Sequence, residues 1–424
     1  MFNKSVIFFK KIIKNPFFTG SLIMVIGLNV FNVGQFIYHF LSGRLLGRAG
    51  YGDLAAILSI LGIISIIQSA FGMTIIKFIT GDKSTRELTN FVKWVYWWTI
   101  WIAIIVALIT LFISPFLGKF LNLTSPNAIY LLAPIILFYI LATTTRSILQ
   151  GLLQFGRYVT SLLMEAIIKI PLTVALILLG FSVSGAIFGL LLGIICSFIV
   201  ARLFLSKFLS GKKEEKPLVI PLLKYSSATF IQGLALTSMY STDLILVKHF
   251  FSPDLAGIYA SLAVLGRIVF FGASPITHVM FPLIAKYHAS SKPYYHIFYL
   301  SIICVAVISC FITLMFLLFP SIIINTFYGA SYIAGANMLW WFAVFMTLLA
   351  LAMLFTQYYL SIGRTKIVLF FAAAAILQII LILFIHQTLL SVIQVSIISA
   401  SLLVVSLFIY CLYDSLNVKG KQKK

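Results

Sequence analysis

Read for hydrophobic and polar positions alone, the chain is a succession of long apolar runs separated by short polar breaks. Runs of about 20 residues match the roughly 30 Å hydrocarbon core of a bilayer. They do not alternate with a period of two, so they read as helices rather than barrel strands. Helices also satisfy every backbone N–H and C=O within their own segment, as hydrocarbon demands. Spans are expected over 20–42, 53–79, 93–116, 127–150, 158–180, 183–205, 224–248, 257–284, 297–319, 332–361, 366–387 and 389–413. The fifth and sixth are divided only by the turn from Gly180 to Gly185, and the last two only by the polar step His386-Gln387. The expected fold is an all-α polytopic membrane protein of about 12 transmembrane helices.

The longest polar connection, Lys207 to Lys224, falls at the middle of the chain. It predicts a six-helix lobe over 1–210, a cytoplasmic linker over 211–223 and a second six-helix lobe over 224–424. Two internal echoes support a duplication. Gln150-Gly-Leu-Leu-Gln-Phe-Gly156-Arg157 and Gln357-Tyr-Tyr-Leu-Ser-Ile-Gly363-Arg364 both read Q-x-x-L-x-x-G-R at the ends of the fourth and tenth spans. Gly52-Asp-Leu-Ala55 and Gly257-Ile-Tyr-Ala260 each open the helix after an outer loop. Duplicates of six spans share one orientation and predict two lobes around a central cavity.

Composition excludes a soluble protein: 62% of the 424 residues are hydrophobic and 9% charged, against roughly 25% charged in a soluble domain. The net charge of +21 is a topology signal. With the N-terminus inside, the inner segments carry about 24 of the 30 Lys and Arg. The outer side holds Arg44, Arg48, Lys119 and Lys248, and Lys169 and Arg267 fall within spans. The positive-inside rule therefore places both termini in the cytoplasm, in a plasma or inner membrane. It also removes the case for a nucleic-acid partner, since no contiguous basic surface exists. The basic N-terminus precedes a long apolar run without a clear cleavage site, so no cleavable signal peptide is expected. The four cysteines have no metal-ligand spacing and read as small apolar residues.

Polar groups within the spans are the candidate chemistry, because hydrocarbon penalises them unless they face a cavity or a partner. Asn29, Asn32, Gln35 and His39 of the first span fall within an arc of roughly 120° at about 100° per residue. Thr229, Gln232, Tyr240 and Asp243 of the seventh, its repeat counterpart, fall within roughly 80°. Such stripes are either interhelical hydrogen-bonding glue or the lining of a cavity; their length and matched placement favour lining. Glu165 and Lys169, spaced i,i+4, either neutralise each other or divide into a carboxylate for ion coupling, a role open to Asp243 too, and a lysine for an anion. Arg267, mid-span between Gly266 and Gly272, needs either Asp243 or Glu165 as a partner, or a ligand phosphate. Arg44 and Arg48 stand at the outer end of the first span, as interfacial anchors or as an approach for substrate. Arg146, near the inner end of the fourth, meets either lipid headgroups or an entering anionic substrate. No P-loop, H-E-x-x-H, G-x-S-x-G or metal-ligand cluster is present, so no cofactor and no enzyme activity are expected.

Arg44-Leu-Leu-Gly-Arg-Ala-Gly-Tyr-Gly52-Asp-Leu-Ala resembles a segment of the polysaccharide and O-antigen flippases. Asp243 followed by Gly257-Ile-Tyr-Ala is similar to its second-half counterpart, and Phe327-Tyr-Gly-Ala-Ser-Tyr and Gly363-Arg364-Thr-Lys are similar to later segments of the family. These flippases belong to the multidrug/oligosaccharidyl-lipid/polysaccharide exporter superfamily, and the resemblance covers nearly the whole chain. It implies a cationic central cavity and rocker-switch movement of a polyprenyl-pyrophosphate-linked oligosaccharide from inner to outer leaflet, with proton or sodium coupling in some members. It implies membrane lipids and polysaccharide assembly proteins as partners. Lys169 and Arg267 become the best-placed pyrophosphate ligands, with Arg44 and Arg146 as further cations. The first span lacks a dense arginine cluster, which argues against lipid II as cargo. The rival readings are a cation-coupled drug exporter of the same superfamily, an integral-membrane glycosyltransferase or polymerase, and a non-transporting scaffold.

The charge asymmetry makes a direct prediction. Reporter fusions at residue 424 should be active only with a cytoplasmic reporter, and fusions at His386 only with an exported one. The opposite pattern would invert the topology.

Overall fold

The computed structural model describes residues 16–80, 85–209, 220–290 and 292–421. Ten helical stretches are long and apolar enough to cross a membrane. Two of them are too long for a single crossing. The helix Pro16–Ile79 has 64 residues, about 96 Å at 1.5 Å per residue, or three times the hydrocarbon core. It breaks at Gly47, whose φ of 68° and ψ of −178° lie in a region open essentially to glycine. We call the halves α1 (16–46) and α2 (48–79). The stretch Phe155–Phe204 breaks likewise at Gly180, with φ of 90°. Counting each broken stretch twice gives twelve crossings among the described residues.

The remaining elements are α3 (Thr85–Phe120), α4 (Leu132–Gly151), α5 (Phe155–Leu176), α6 (Ser182–Phe204), α7 (Ile220–Phe250), α8 (Pro253–Ala289), α9 (Tyr295–Leu318), α10 (Leu339–Ser361), α11 (Val368–Phe384) and α12 (Leu389–Lys421). Each expected span has its helix, with ends shifted by local chemistry. The helix α8 begins four residues before the expected 257, because Ser252 caps it through the Leu255 amide, Pro253 occupies the first turn and Asp254 faces the helix dipole. The helix α11 stops at Phe384, leaving His386-Gln387 in the loop.

The two halves match, with one correction. Short 3-10 turns, Pro126–Leu131 and Ala330–Met338, lead into α4 and α10. These helices begin 207 residues apart, at Leu132 and Leu339, but α10 has 23 residues and α4 has 20. The Q-x-x-L-x-x-G-R echo at an offset of 207 therefore does not overlay equivalent positions. Leu153 (φ 57°) and Gly363 (φ 81°) reverse the chain in the two turns. Each is followed by the amide that closes the turn, Gln154 N–H to Leu149 C=O and Arg364 N–H to Tyr359 C=O. Gly156 lies instead in the first turn of α5.

The chain forms two units. One runs to Leu46 and resumes over Ile67–Ser227; the other joins Gly47–Ile66 to Ala228–Lys424. The division thus falls inside α7, not at the expected 210 or 224, and residues 210–219 of the proposed linker lie outside the described residues. Gly47–Ile66, which sequence order assigned to the first lobe, clusters with the second.

The reason is a set of contacts within that second unit. A Cβ on Gly257 would stand 1.9 Å from the Arg48 carbonyl oxygen, and one on Gly52 would stand 2.9 Å from the Gly257 nitrogen. The two glycines of the second echo therefore meet face to face. Asp53 and Lys248 form an ion pair at 2.6 Å with both side chains sealed from solvent. Arg48 and Asp254 pair at 3.3 Å beside them, and the Tyr51 and Tyr328 hydroxyls share a hydrogen bond at 2.9 Å.

Breaking a buried ion pair on one side leaves an uncompensated charge, at a cost of about 3–5 kcal/mol. Lys248→Met should therefore lower thermal stability sharply in detergent. The double variant Asp53→Leu/Lys248→Met should recover most of the loss. Equal stability of Lys248→Met and the native chain would deny the pair its role.

Candidate functional site

The first unit holds three ionisable side chains close together. Glu165 and Lys169 lie one turn apart on α5, and both are buried. Their spacing predicts a mutual pair, but Glu165 accepts from Arg146 of α4 at 2.7 Å. A guanidinium from the neighbouring helix can approach the carboxylate end-on and donate from a planar fork, which suits buried pairing. Arg146 is therefore not at a headgroup surface: it is buried, and its charge is already matched. Lys169 turns instead to α1, where its ammonium donates to Gln35 Oε1 at 2.6 Å. It also sits 4.4 Å from the centre of the Tyr38 ring, and Tyr38 is held by its hydroxyl on the Ala186 carbonyl. The lysine thus has one neutral acceptor and an aromatic face around it.

The other stripe residues of α1 divide. Asn29 and Asn32 are exposed, and Asn29 Nδ2 donates only to the Val25 carbonyl one turn back, at 2.8 Å. His39 is half-buried, edge-on to Tyr38. Arg44 is exposed near the end of α1.

In the second unit Arg267 of α8 is half-buried. One terminal nitrogen donates to the Tyr240 carbonyl at 2.6 Å, and the guanidinium lies 5.0 Å from the centre of the Tyr240 ring. Neither expected carboxylate forms an ion pair with it. Asp243 is engaged elsewhere, accepting from the Tyr259 hydroxyl at 2.8 Å and from the Leu244 amide at 2.7 Å. The Arg267 Nε is buried without a hydrogen-bond partner.

Two residues of the α7 stripe, Gln232 and Asp243, are buried and bonded to neighbouring helices, while Tyr240 is half-buried. Gln232 is buried, accepts from Gln357 of α10 at 3.3 Å and donates to the Met353 sulfur. Asp243 is buried as well, and the Tyr240 hydroxyl meets Thr237 at 3.1 Å. Gln378 of α11 adds a bridge, donating to the Met239 carbonyl and to Ser396 of α12. Apart from the Thr237–Tyr240 contact within α7, these are interhelical bonds, as the glue reading of the stripe expects. The Thr229 side chain lies outside the described residues.

Sequence reading gave Asp53 no functional role and counted Lys248 among the outer-side cations, because both stand at the ends of expected spans. The available signal was that Asp53 follows Tyr-Gly without a turn residue, inside the first turn of an apolar run. Among the described residues, no group of three or more His, Cys, Asp or Glu is arranged to hold a metal ion.

A family model described as polysaccharide biosynthesis protein matches residues 19–288. An uncharacterized membrane protein of Methanocaldococcus jannaschii is 24% identical over 289 residues, which are 62% of this chain and 67% of that protein. Among solved structures, an inward-facing multidrug resistance MATE family transporter of the MOP superfamily superposes with a TM-score of 0.75. It shares 15% identity, with 92% of this chain and 96% of that one covered. The lipid II flippase MurJ, in an inward closed conformation, superposes with a TM-score of 0.74 at 15% identity, covering 92% of this chain and 87% of its own. At such identities the superpositions establish the fold alone: an all-α membrane fold of twelve helices in two lobes.

The pairings separate two kinds of cation. Arg146→Gln should destabilise the protein by several kcal/mol, and adding Glu165→Gln should restore most of it. Lys169→Met, which removes a charge that has no direct ion-pair contact among the described residues, should cost less thermal stability than Arg146→Gln. A fall in stability as large as that of Arg146→Gln would place Lys169 in the same structural class.

Proposed function

Since the chain belongs to the polysaccharide biosynthesis protein family, we propose that it is a flippase for cell-surface polysaccharide export. Its cargo in this reading is a polyprenyl-(pyro)phosphate-linked oligosaccharide, carried from the inner to the outer leaflet of the cell membrane by alternating access. The observation that carries the reading is Arg267, a guanidinium within a membrane span that forms no ion pair. Moving a diphosphate into hydrocarbon costs several kcal/mol per charge even after relaxation. A protein that moves one must therefore present cations that its own carboxylates have not neutralised. Arg267 approaches that condition: it makes no direct ion-pair contact among the described residues, although Asp243 is near enough to feel its charge, and its planar donors suit phosphate oxygens. Lys169 does so in the first unit, with Gln35 as a neutral partner that an anion can displace.

Arg146 is withdrawn from this set by its pairing with Glu165. Arg44 stays in it as an exposed cation on the approach to the site. The polyprenyl tail remains among the membrane lipids throughout, and the delivered glycan passes to polysaccharide assembly proteins. Both termini remain in the cytoplasm in this scheme.

Arg267→Ala should abolish surface glycan with protein abundance unchanged, and Arg267→Lys should retain part of it. In both the deletion strain and the Arg267→Ala strain, the lipid-linked glycan should accumulate on the inner leaflet. Native levels of surface glycan in Arg267→Ala would remove Arg267 from the site. A deletion strain that accumulates no lipid-linked glycan but gains sensitivity to small cationic compounds would support drug export instead.

A further inference from the structure

The exposed surface of α1 is of two kinds, and the difference identifies what the transported headgroup is made of. At about 100° per residue, Gly27, Gly34, Tyr38 and Ser42 share one arc, and all are buried. Gly27 and Gly34 lie against Val159 and Ala166 of α5. A second arc carries Ile26, Val30, Val33 and Ile37, all exposed and all apolar. That arc suits acyl chains. The third arc carries Asn29, Asn32, Phe36 and His39, and its two asparagines are exposed.

An exposed amide in a membrane span is costly unless water or a polar ligand meets it. Asn29 keeps its side-chain carbonyl open, since only its Nδ2 is bonded, and that bond is local. The Gln35 carbonyl is taken by Lys169, which leaves its amide hydrogens to donate. Phe36 lies between the asparagines in projection and stacks on Phe40 at 6.1 Å between ring centres. The arc of Asn29, Asn32 and Phe36 itself carries no carboxylate or ammonium group, and its amides, able to donate and accept beside an aromatic face, match the hydroxyls and C–H faces of an uncharged sugar ring. They offer little to a bare phosphate or to an organic cation.

We infer that the Asn29–Asn32–Phe36 face of α1 is a glycan-binding ladder, selective for neutral, hydroxyl-rich sugars next to the lipid pyrophosphate. This rests on the flippase reading and adds the recognition of the sugar to it. The length fits more than one sugar ring, since Asn29 to Phe36 spans about 10 Å of helix rise.

The test uses the full chain in nanodiscs with two probes: a polyprenyl pyrophosphate bearing a neutral hexose trisaccharide, and the same lipid without sugar. The native protein should bind the glycosylated lipid at least about tenfold more tightly. Asn29→Leu/Asn32→Leu should weaken that binding about tenfold, the loss of one to two hydrogen bonds, and leave the bare lipid unaffected. Asn29→Gln/Asn32→Gln, which keeps the amides, should retain most of the difference. Equal affinity of the native protein for the two lipids overturns the ladder alone, as does equal weakening of both by the leucine variant. Native protein that binds neither lipid overturns the flippase reading and the ladder with it.

Discussion

A charge inside a membrane protein must be matched within the protein, because hydrocarbon supplies no counterion and no hydrogen bond. Two ion pairs answer that constraint here, and each decides which helices are joined. Asp53 and Lys248 bind the first half of α2 to the end of α7, so Gly47–Ile66 leaves the unit that its sequence neighbours belong to. Arg146 and Glu165 join α4 to α5 across a short turn. In both cases the partner is supplied by another helix, as the i,i+4 geometry of a single helix seldom achieves when both groups are buried.

Against those pairs, two cations stand out that make no direct ion-pair contact among the described residues, although Glu165 acts on Lys169 and Asp243 on Arg267 through space. Lys169 has Gln35 and an aromatic ring; Arg267 has a backbone carbonyl and an aromatic ring. Both are stabilised by neutral dipoles and π faces, which hold a cation in place without cancelling its charge. One lies in each unit. The same distinction sets Arg146 apart, since its charge is matched directly by Glu165.

The duplication is real in architecture and uneven in use. Paired 3-10 entries lead into α4 and α10, and paired αL turns end them, but α10 is three residues longer. The polar stripe of α7 is consumed by bonds to α10 and by Tyr259 of α8, while that of α1 stays exposed beside an apolar face. Equivalent helices have thus been given different tasks: one is structural cement, the other presents amides outward. Gly52 and Gly257 keep the older equivalence, since each allows the other's backbone to approach.

Sequence alone determined the helices, their number and their approximate ends. Backbone hydrogen bonds in hydrocarbon are closed within each span, so the length of an apolar run is sufficient to define the element. It also marked the Gly180–Gly185 turn between the fifth and sixth spans, whereas the break at Gly47 inside a 64-residue helix came from the structure. Tertiary structure alone decided how the charges were paired. The spacing of Glu165 and Lys169 permitted a bond that Arg146 won; Asp53, the first residue of an expected span, had no partner in view until the fold placed Lys248 beside it. It also decided which polar stripe was satisfied, since Gln232 finds its partners more than a hundred residues away. Pairing energies depend on distance and local dielectric, and neither is written in the order of residues along the chain.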